Sequence, residues 1–229
     1  MVVNYLSSYK AVLFDLDDTL LDRDNAVDKL FFILLEKCYE DIDDSTKREM
    51  LQEFKEQDKR CYGQKDKTKV FEAFFDSFPP KHRIPHNDIL AFWNQHFPYC
   101  FSVNQDRLNI LNRLKSQVKV AIITNGTVHR QKAKIRSTNL HHYFDTIIIS
   151  DEVGISKPDK RIFELALNKL NVQPEDTLFV GDDLERDIGG CQNANIKGVW
   201  FNPLRIKNDT EIKPFAEIDS FDRLLSYFT

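Results

Sequence analysis

Five short apolar runs punctuate the chain, at residues 11–14, 118–123, 147–149, 178–180 and 199–201, and nearly all of them stop abruptly at polar or acidic residues. Runs this short and this uniformly apolar suit strands buried on both faces, so they predict a parallel sheet. Between them the apolar positions change to helical spacing. Leu108, Leu111 and Leu114 recur on one face, and Asp159 stands where it can cap a helix carrying Ile162, Phe163, Ala166, Leu167 and Leu170. That alternation predicts right-handed βαβ crossovers. The stretch between the first and second runs is far too long for one crossover. It has no strand pattern but four helical ones, at 26–39, 46–60, 67–78 and 87–97, punctuated by Pro79, Pro80 and Pro85. The fold class expected is therefore α/β, a Rossmann-like parallel sheet core formed by residues 1–22 and 102–229, with an inserted all-helical domain at 23–101. The tail at 217–229 predicts a short closing helix starting near Asp219 or Ser220.

Composition narrows the partners. A chain of 229 residues can bury one good-sized core with a smaller satellite. Its net charge is −4 and no face concentrates Lys and Arg, which argues against nucleic acid as the main partner while leaving room for a small phosphorylated ligand. No apolar stretch has bilayer length and the N-terminus lacks a signal-peptide layout, so the expected setting is cytoplasmic, with no membrane partner. Cys38, Cys61, Cys100 and Cys191 are scattered without a Cys-x-x-Cys pair, so reduced thiols are expected. A monomer is expected, with a dimer as the alternative. The insert is rich in aromatics, among them Phe31, Phe32, Phe71, Phe74, Phe75, Phe78, Phe92, Trp93, Phe97 and Phe101. Most should pack its own core, leaving one or two to close over a substrate.

The strand ends carry the chemistry. The first run leads into Asp15-Leu16-Asp17-Asp18-Thr19. Acids at i and i+2 face the same way, and such a cluster repels itself unless a cation sits among it. The second run ends in Thr124-Asn125-Gly126, a hydroxyl and an amide before a glycine that permits close backbone approach, although Asn-Gly is also a common turn pair. After the third run, Lys157 stands just ahead of Pro158-Asp159, where it could supply charge to a phosphoryl group and to nearby carboxylates. The fourth run ends in Gly181-Asp182-Asp183, with Asp187 further on, a second acidic cluster that could equally cap a helix.

In order and spacing these four clusters resemble the motifs of the haloacid dehalogenase superfamily, aspartate-nucleophile phosphohydrolases whose pattern is matched by Asp15, Asp17 and Thr19, by Thr124, by Lys157, and by Gly181-Asp182 with Asp183 and Asp187. The resemblance spans almost the whole chain and implies a helical cap inserted after the first motif. It implies that Asp15 attacks phosphorus to form an aspartyl-phosphate and that Asp17 acts as acid and then base. It further implies that Mg²⁺ is held by Asp15, the backbone carbonyl of Asp17 and Asp182, and that Thr124, Lys157 and the amides of Asn125 and Gly126 bind the phosphate. Thr19 would support the turn and Asp18 would point away. Asp183 and Asp187 would divide support of the metal or of Lys157 and helix capping between them. The implied activity is Mg²⁺-dependent hydrolysis of a small phosphorylated metabolite, a sugar phosphate or a nucleoside monophosphate. A phosphomutase of the same superfamily and a catalytically silent metal-dependent binding module are the alternatives. Asp17 argues against carbon-halogen chemistry.

Overall fold

The computed structural model describes residues 9–228. Six parallel strands form one sheet in the order β3-β2-β1-β4-β5-β6. They are β1 (Ala11–Phe14), β2 (Lys119–Thr124), β3 (Thr146–Ile149), β4 (Thr177–Gly181), β5 (Lys197–Phe201) and β6 (Ala216–Ile218). The first five lie on the apolar runs of the sequence. β6 is an addition, because three residues, two of them Ala216 and Glu217, offer no apolar run to read. The rest of the tail forms a 3-10 turn over Phe221–Tyr227 rather than an α-helix.

The strand order explains where a site can form. β1 lies in the middle, paired with β2 on one side and β4 on the other, so the chain reverses direction of travel across the sheet at β1. Ligand crevices in such sheets open at the C-terminal strand ends beside that switch point. One sheet face is packed by α8 (Lys160–Leu170), whose Ile162, Phe163, Ala166 and Leu170 meet Leu13, Ile123 and Phe179. This helix starts after Asp159, whose carboxylate accepts from the Arg161 amide at 3.0 Å, and Pro158 lies ahead of it. On the other face Phe14 stacks on Phe221 and meets Phe144 edge-on. Replacing a side chain such as Leu13 by Ala would cost about 2–5 kcal/mol in a core packed this closely.

The described chain divides into two compact units. One runs through Leu21 and takes in Val103–Val128 and the chain from Asn139 onward; it holds the sheet. The other comprises Asp22–Ser102 and His129–Thr138. It contains α1 (Arg23–Cys38), α2 (Asp44–Arg60), α3 (Thr68–Ser77) and α4 (His86–His96). In the sheet unit α5 (Gln105–Lys115) precedes β2 and is capped by Asn104, which accepts from Asp106 and Arg107 amides. Edge-on contacts among Phe31, Phe54, Phe71, Phe74 and Phe92 build the core of the helical unit. Of the ten aromatics named above, only Phe32 and Phe78 are not buried, and Phe32 is 48% exposed.

The helix α6 (Val128–Ser137), which the sequence pattern does not reveal, groups mainly with the inserted helices although it follows β2. Its buried residues are Gln131, Lys134 and Ile135, so it lacks an apolar stripe. It is held by polar contacts instead. Arg130 donates to Asn94 Oδ1 and to the Lys65 carbonyl, both at 2.7 Å, Ser137 donates to the Pro98 carbonyl at 3.0 Å, and the Lys134 ammonium lies over Phe101. All four cysteines are free and buried. Among the described residues no helix is long and apolar enough to cross a membrane.

Candidate active site

Asp15 follows the last residue of β1, and its amide still donates to the Val180 carbonyl at 2.9 Å, so the sheet itself sets its place. The chain then folds back on itself. The amides of Leu20 and Leu21 both donate to the Leu16 carbonyl at 2.9 Å, Asp18 donates to the Leu21 carbonyl at 2.7 Å, and Arg107 of α5 donates to the Leu20 carbonyl at 2.9 Å. Asp18 takes a left-handed backbone (φ 60°), a conformation that Asp tolerates better than most residues. The fully buried Thr19 does more than support this turn, for its hydroxyl donates to Asp182 Oδ1 at 3.0 Å and joins the first strand end to the fourth. A further tie comes from Trp200, whose indole N–H donates to the Asp182 carbonyl at 2.8 Å.

Lys157 is buried at the centre of the acids. Its ammonium donates to Asp15 Oδ1 and, at 2.7 Å, to Asp187 Oδ1, and it lies 5.5 Å from the centre of the Phe179 ring. Asp187 Oδ2 in turn accepts from the Asp183 amide at 3.2 Å. This close approach requires Gly181: a Cβ there would stand 2.4 Å from Asp187 Oδ2. The segment Leu184–Gly189 is a π-type turn, in which the Ile188 amide reaches back to the Asp183 carbonyl. Asp183 caps that turn, accepting from the Arg186 amide at 2.7 Å and pairing with its guanidinium. The two acids whose roles the sequence leaves open are thus separated by geometry: Asp187 faces Lys157, and Asp183 faces Arg186.

The second strand end is also tied to Lys157. Thr124 is buried at the last position of β2. The Asn125 side chain accepts from the Lys157 amide at 3.0 Å and donates to the Lys157 carbonyl at 2.9 Å. Gly126 has φ 144°, a value that favours glycine, and its amide donates to the Ser150 hydroxyl at 3.0 Å. The family resemblance implies a phosphate for this amide, whereas here it is engaged by Ser150, the first residue of α7 (Ser150–Val153). The site also draws on Ser150, Trp200 and Arg107. The only sequence signal for Ser150 is a hydroxyl at the end of an apolar run, and the other two stand in no motif.

Charge is unbalanced at this site. Burial pushes the Asp15 carboxyl up to about 7 against the pull of the Lys157 ammonium, with Asp187 and Asp17 adding to the rise. Burial also pushes Asp182 up, to about 8, assisted by Asp15, Asp187 and Asp18 and opposed by the Thr19 hydroxyl. Asp18 is therefore near enough for its charge to be felt. Burial works to lower the Lys157 ammonium, yet Asp15 and Asp187 hold it above its usual range. Asp15, Asp182 and Asp187 each place a carboxylate oxygen so that all three lie within 4.8 Å of one another. An all-oxygen donor set with more negative than positive charge fits a hard divalent cation such as Mg²⁺ better than a soft one. Asp17 contributes no side chain to this trio.

Comparison with known proteins agrees with this architecture. Residues 12–201 match the haloacid dehalogenase-like hydrolase family. The chain is 31% identical to the glyceraldehyde 3-phosphate phosphatase of Pyrococcus furiosus over 91% of its own length and 87% of that protein. It is 36% identical to the pyrimidine 5'-nucleotidase YjjG of Escherichia coli over about half of each chain, 51% and 52%. Among solved structures, the magnesium-bound HAD-hydrolase YfnB of Bacillus subtilis aligns with a TM-score of 0.79 at 25% identity, covering 96% of this chain and 99% of that one.

Proposed function

The chain belongs to the haloacid dehalogenase-like hydrolases, and from that premise we propose a Mg²⁺-dependent phosphohydrolase that removes phosphate from a small phosphorylated metabolite through an aspartyl-phosphate on Asp15. The observation that carries this reading is the buried Lys157 held between Asp15 and Asp187 with Asp182 beside them: a carboxylate nucleophile, one fixed cation and an acidic set suited to a second.

In this proposal Asp15 attacks phosphorus through one carboxylate oxygen as the bond to the leaving oxygen breaks. Asp17 gives that oxygen its proton and then takes a proton from the water that attacks the acyl-phosphate, releasing inorganic phosphate and restoring Asp15. Lys157 holds Asp15 toward its charged form and, with the Thr124 hydroxyl and the Asn125 backbone amide, receives the phosphoryl oxygens. Asp15, the backbone carbonyl of Asp17 and Asp182 would hold Mg²⁺, whose charge lets an anionic carboxylate meet an anionic phosphate. Asp187 keeps the Lys157 ammonium aimed, and Thr19 keeps Asp182 aimed.

The substrate class rests on the relatives, which by name are a glyceraldehyde 3-phosphate phosphatase and a pyrimidine 5'-nucleotidase. Sugar phosphates and nucleoside monophosphates are accordingly the first compounds to try. The purified chain with Mg²⁺ is expected to release para-nitrophenol from its phosphate ester, and then inorganic phosphate from members of a panel of sugar phosphates, nucleoside monophosphates and flavin mononucleotide. Transfer of phosphate between positions of a sugar without release would instead identify a mutase. No turnover on any compound would leave a binding module.

A further inference from the structure

We infer that the side chain of Asn125 is a positioning residue for Lys157, latching the strand end that carries Thr124 to the separate loop that carries the lysine. The inference rests on the hydrolase reading above and assigns within it a role that the Asn-Gly turn pair conceals. Asn125 Oδ1 accepts from the Lys157 amide at 3.0 Å while Nδ2 donates to the Lys157 carbonyl at 2.9 Å. The orientation of the amide is dictated by these partners, since a backbone N–H requires the oxygen and a backbone carbonyl requires the nitrogen. One side chain thereby does for Lys157 what a neighbouring strand does for a strand residue.

The loop needs such a partner. Lys157 lies between α7 and α8, outside any strand, so no sheet ladder fixes its backbone. Its ammonium is fixed by Asp15, just past the end of β1, and by Asp187, in the turn after β4. Asn125 fixes the other end of the same residue from just past the end of β2. The lysine is therefore held at both ends by three strand ends. Gly126 strengthens the latch from its own side, because its amide is anchored on Ser150 at 3.0 Å. A latch at the backbone governs where the ammonium stands, and displacements of about 1 Å in a catalytic group can cost about 10²-fold in rate.

A double-mutant cycle tests this. Asn125→Ala and Lys157→Met are compared singly and together, by turnover of para-nitrophenyl phosphate with Mg²⁺ and by calorimetric binding of inorganic phosphate. Asn125→Ala alone is expected to lower kcat/KM by about 10- to 100-fold and to weaken phosphate binding. On the Lys157→Met background it is expected to cost less than about threefold, because the group it positions is gone. Equal losses on both backgrounds would overturn the inference, since Asn125 would then act on the ligand or on the fold at large. So would an Asn125→Ala enzyme within twofold of the wild type. Melting curves accompany each variant, and if Asn125→Ala does not fold, the nearly isosteric Asn125→Asp carries the same cycle. The aspartate keeps an acceptor for the Lys157 amide but turns an oxygen on the Lys157 carbonyl, and the same loss is expected. A wild type that neither binds phosphate nor turns over would sink the hydrolase reading itself, whereas an active wild type with an indifferent Asn125 sinks only the latch.

Discussion

Each of the two compact units buries a network of charges, and the networks are unbalanced in opposite senses. In the helical unit Asp58 is the hub: Arg23 grips both its oxygens, at 2.9 and 2.5 Å, and Lys67 approaches at 3.5 Å. Cations exceed anions there, and burial together with Arg23 and Arg130 works to lower the Lys67 ammonium against the pull of Asp58. The excess is absorbed by dipoles of the same unit. Lys67 donates to the Cys61 carbonyl at 2.7 Å and lies over Trp93, while the Arg23 guanidinium lies 4.8 Å from the centre of the Tyr62 ring. In the sheet unit Asp15, Asp182 and Asp187 gather around a single lysine, and the excess negative charge is expressed as raised Asp15 and Asp182 carboxyls. Carbonyls and ring faces can solvate a buried cation, but neither can solvate a carboxylate. A network completed by its own unit serves structure, and one left short of positive charge is suited to a ligand.

Replacing one acid of each network should separate these roles. Asp15→Asn is expected to lower phosphatase turnover by more than about a thousandfold, because the amide cannot attack as a carboxylate does. Its metal-free melting temperature should hold or rise, since one of several mutually repelling acids is neutralised. Activity within tenfold of the wild type, measured with para-nitrophenyl phosphate, would remove Asp15 from the mechanism. EDTA should likewise stop hydrolysis and Mg²⁺ restore it, with metal-independent turnover counting against the site. Asp58→Ala should do the reverse and cost about 3–5 kcal/mol in urea unfolding, because it leaves Arg23 and Lys67 buried without their counter-charge. If Asp58→Ala spared stability, the contrast between the two networks would collapse.

Smaller effects sharpen the same picture. Gly181→Ala drives a Cβ into Asp187 and should cost about 1–3 kcal/mol while lowering turnover, since Asp187 can no longer hold the Lys157 ammonium in place. Wild-type turnover by this variant would show that Lys157 does not depend on Asp187. Smallest is a pH effect on the metal-free protein. Folded Asp15 and Asp182 retain protons to about 7 and about 8, whereas the unfolded chain releases them near the usual 3.8. Their contribution to stability is therefore full below 3.8 and lost as pH rises through 7 to 8, a slope of the sign expected when the folded state binds more protons. Melting in EDTA should fall across that window, and the stabilisation by Mg²⁺ should widen with pH. A gap that stayed constant from pH 4 to 8 would place the metal elsewhere.

Much of the sheet unit was legible because its signals are local. A strand buried on both faces must be apolar throughout, so β1 to β5 could be read from short stretches, and Asp15, Thr124 and Asp182 stand out as the polar residues that end them, while the roles proposed for Thr124, Lys157 and Asp182 came from the family resemblance. The four inserted helices were legible for the same reason, through apolar spacing. α6 was not, because its buried face is made of Gln131, Lys134 and Ile135 and takes its stability from carbonyls, an amide and aromatic rings supplied by other segments. Nor were the partners within the site. Thr19 finds Asp182 across 163 positions, Asn125 finds Lys157 across 32, and Gly126 finds Ser150 across 24. The chain by itself determined which chemical groups arrive at the sheet edge, since backbone hydrogen bonding and apolar burial act residue by residue. Only the tertiary structure decided which acid holds the lysine, which one caps a turn and which amide is a latch, because those choices depend on distances between segments that sequence does not encode locally.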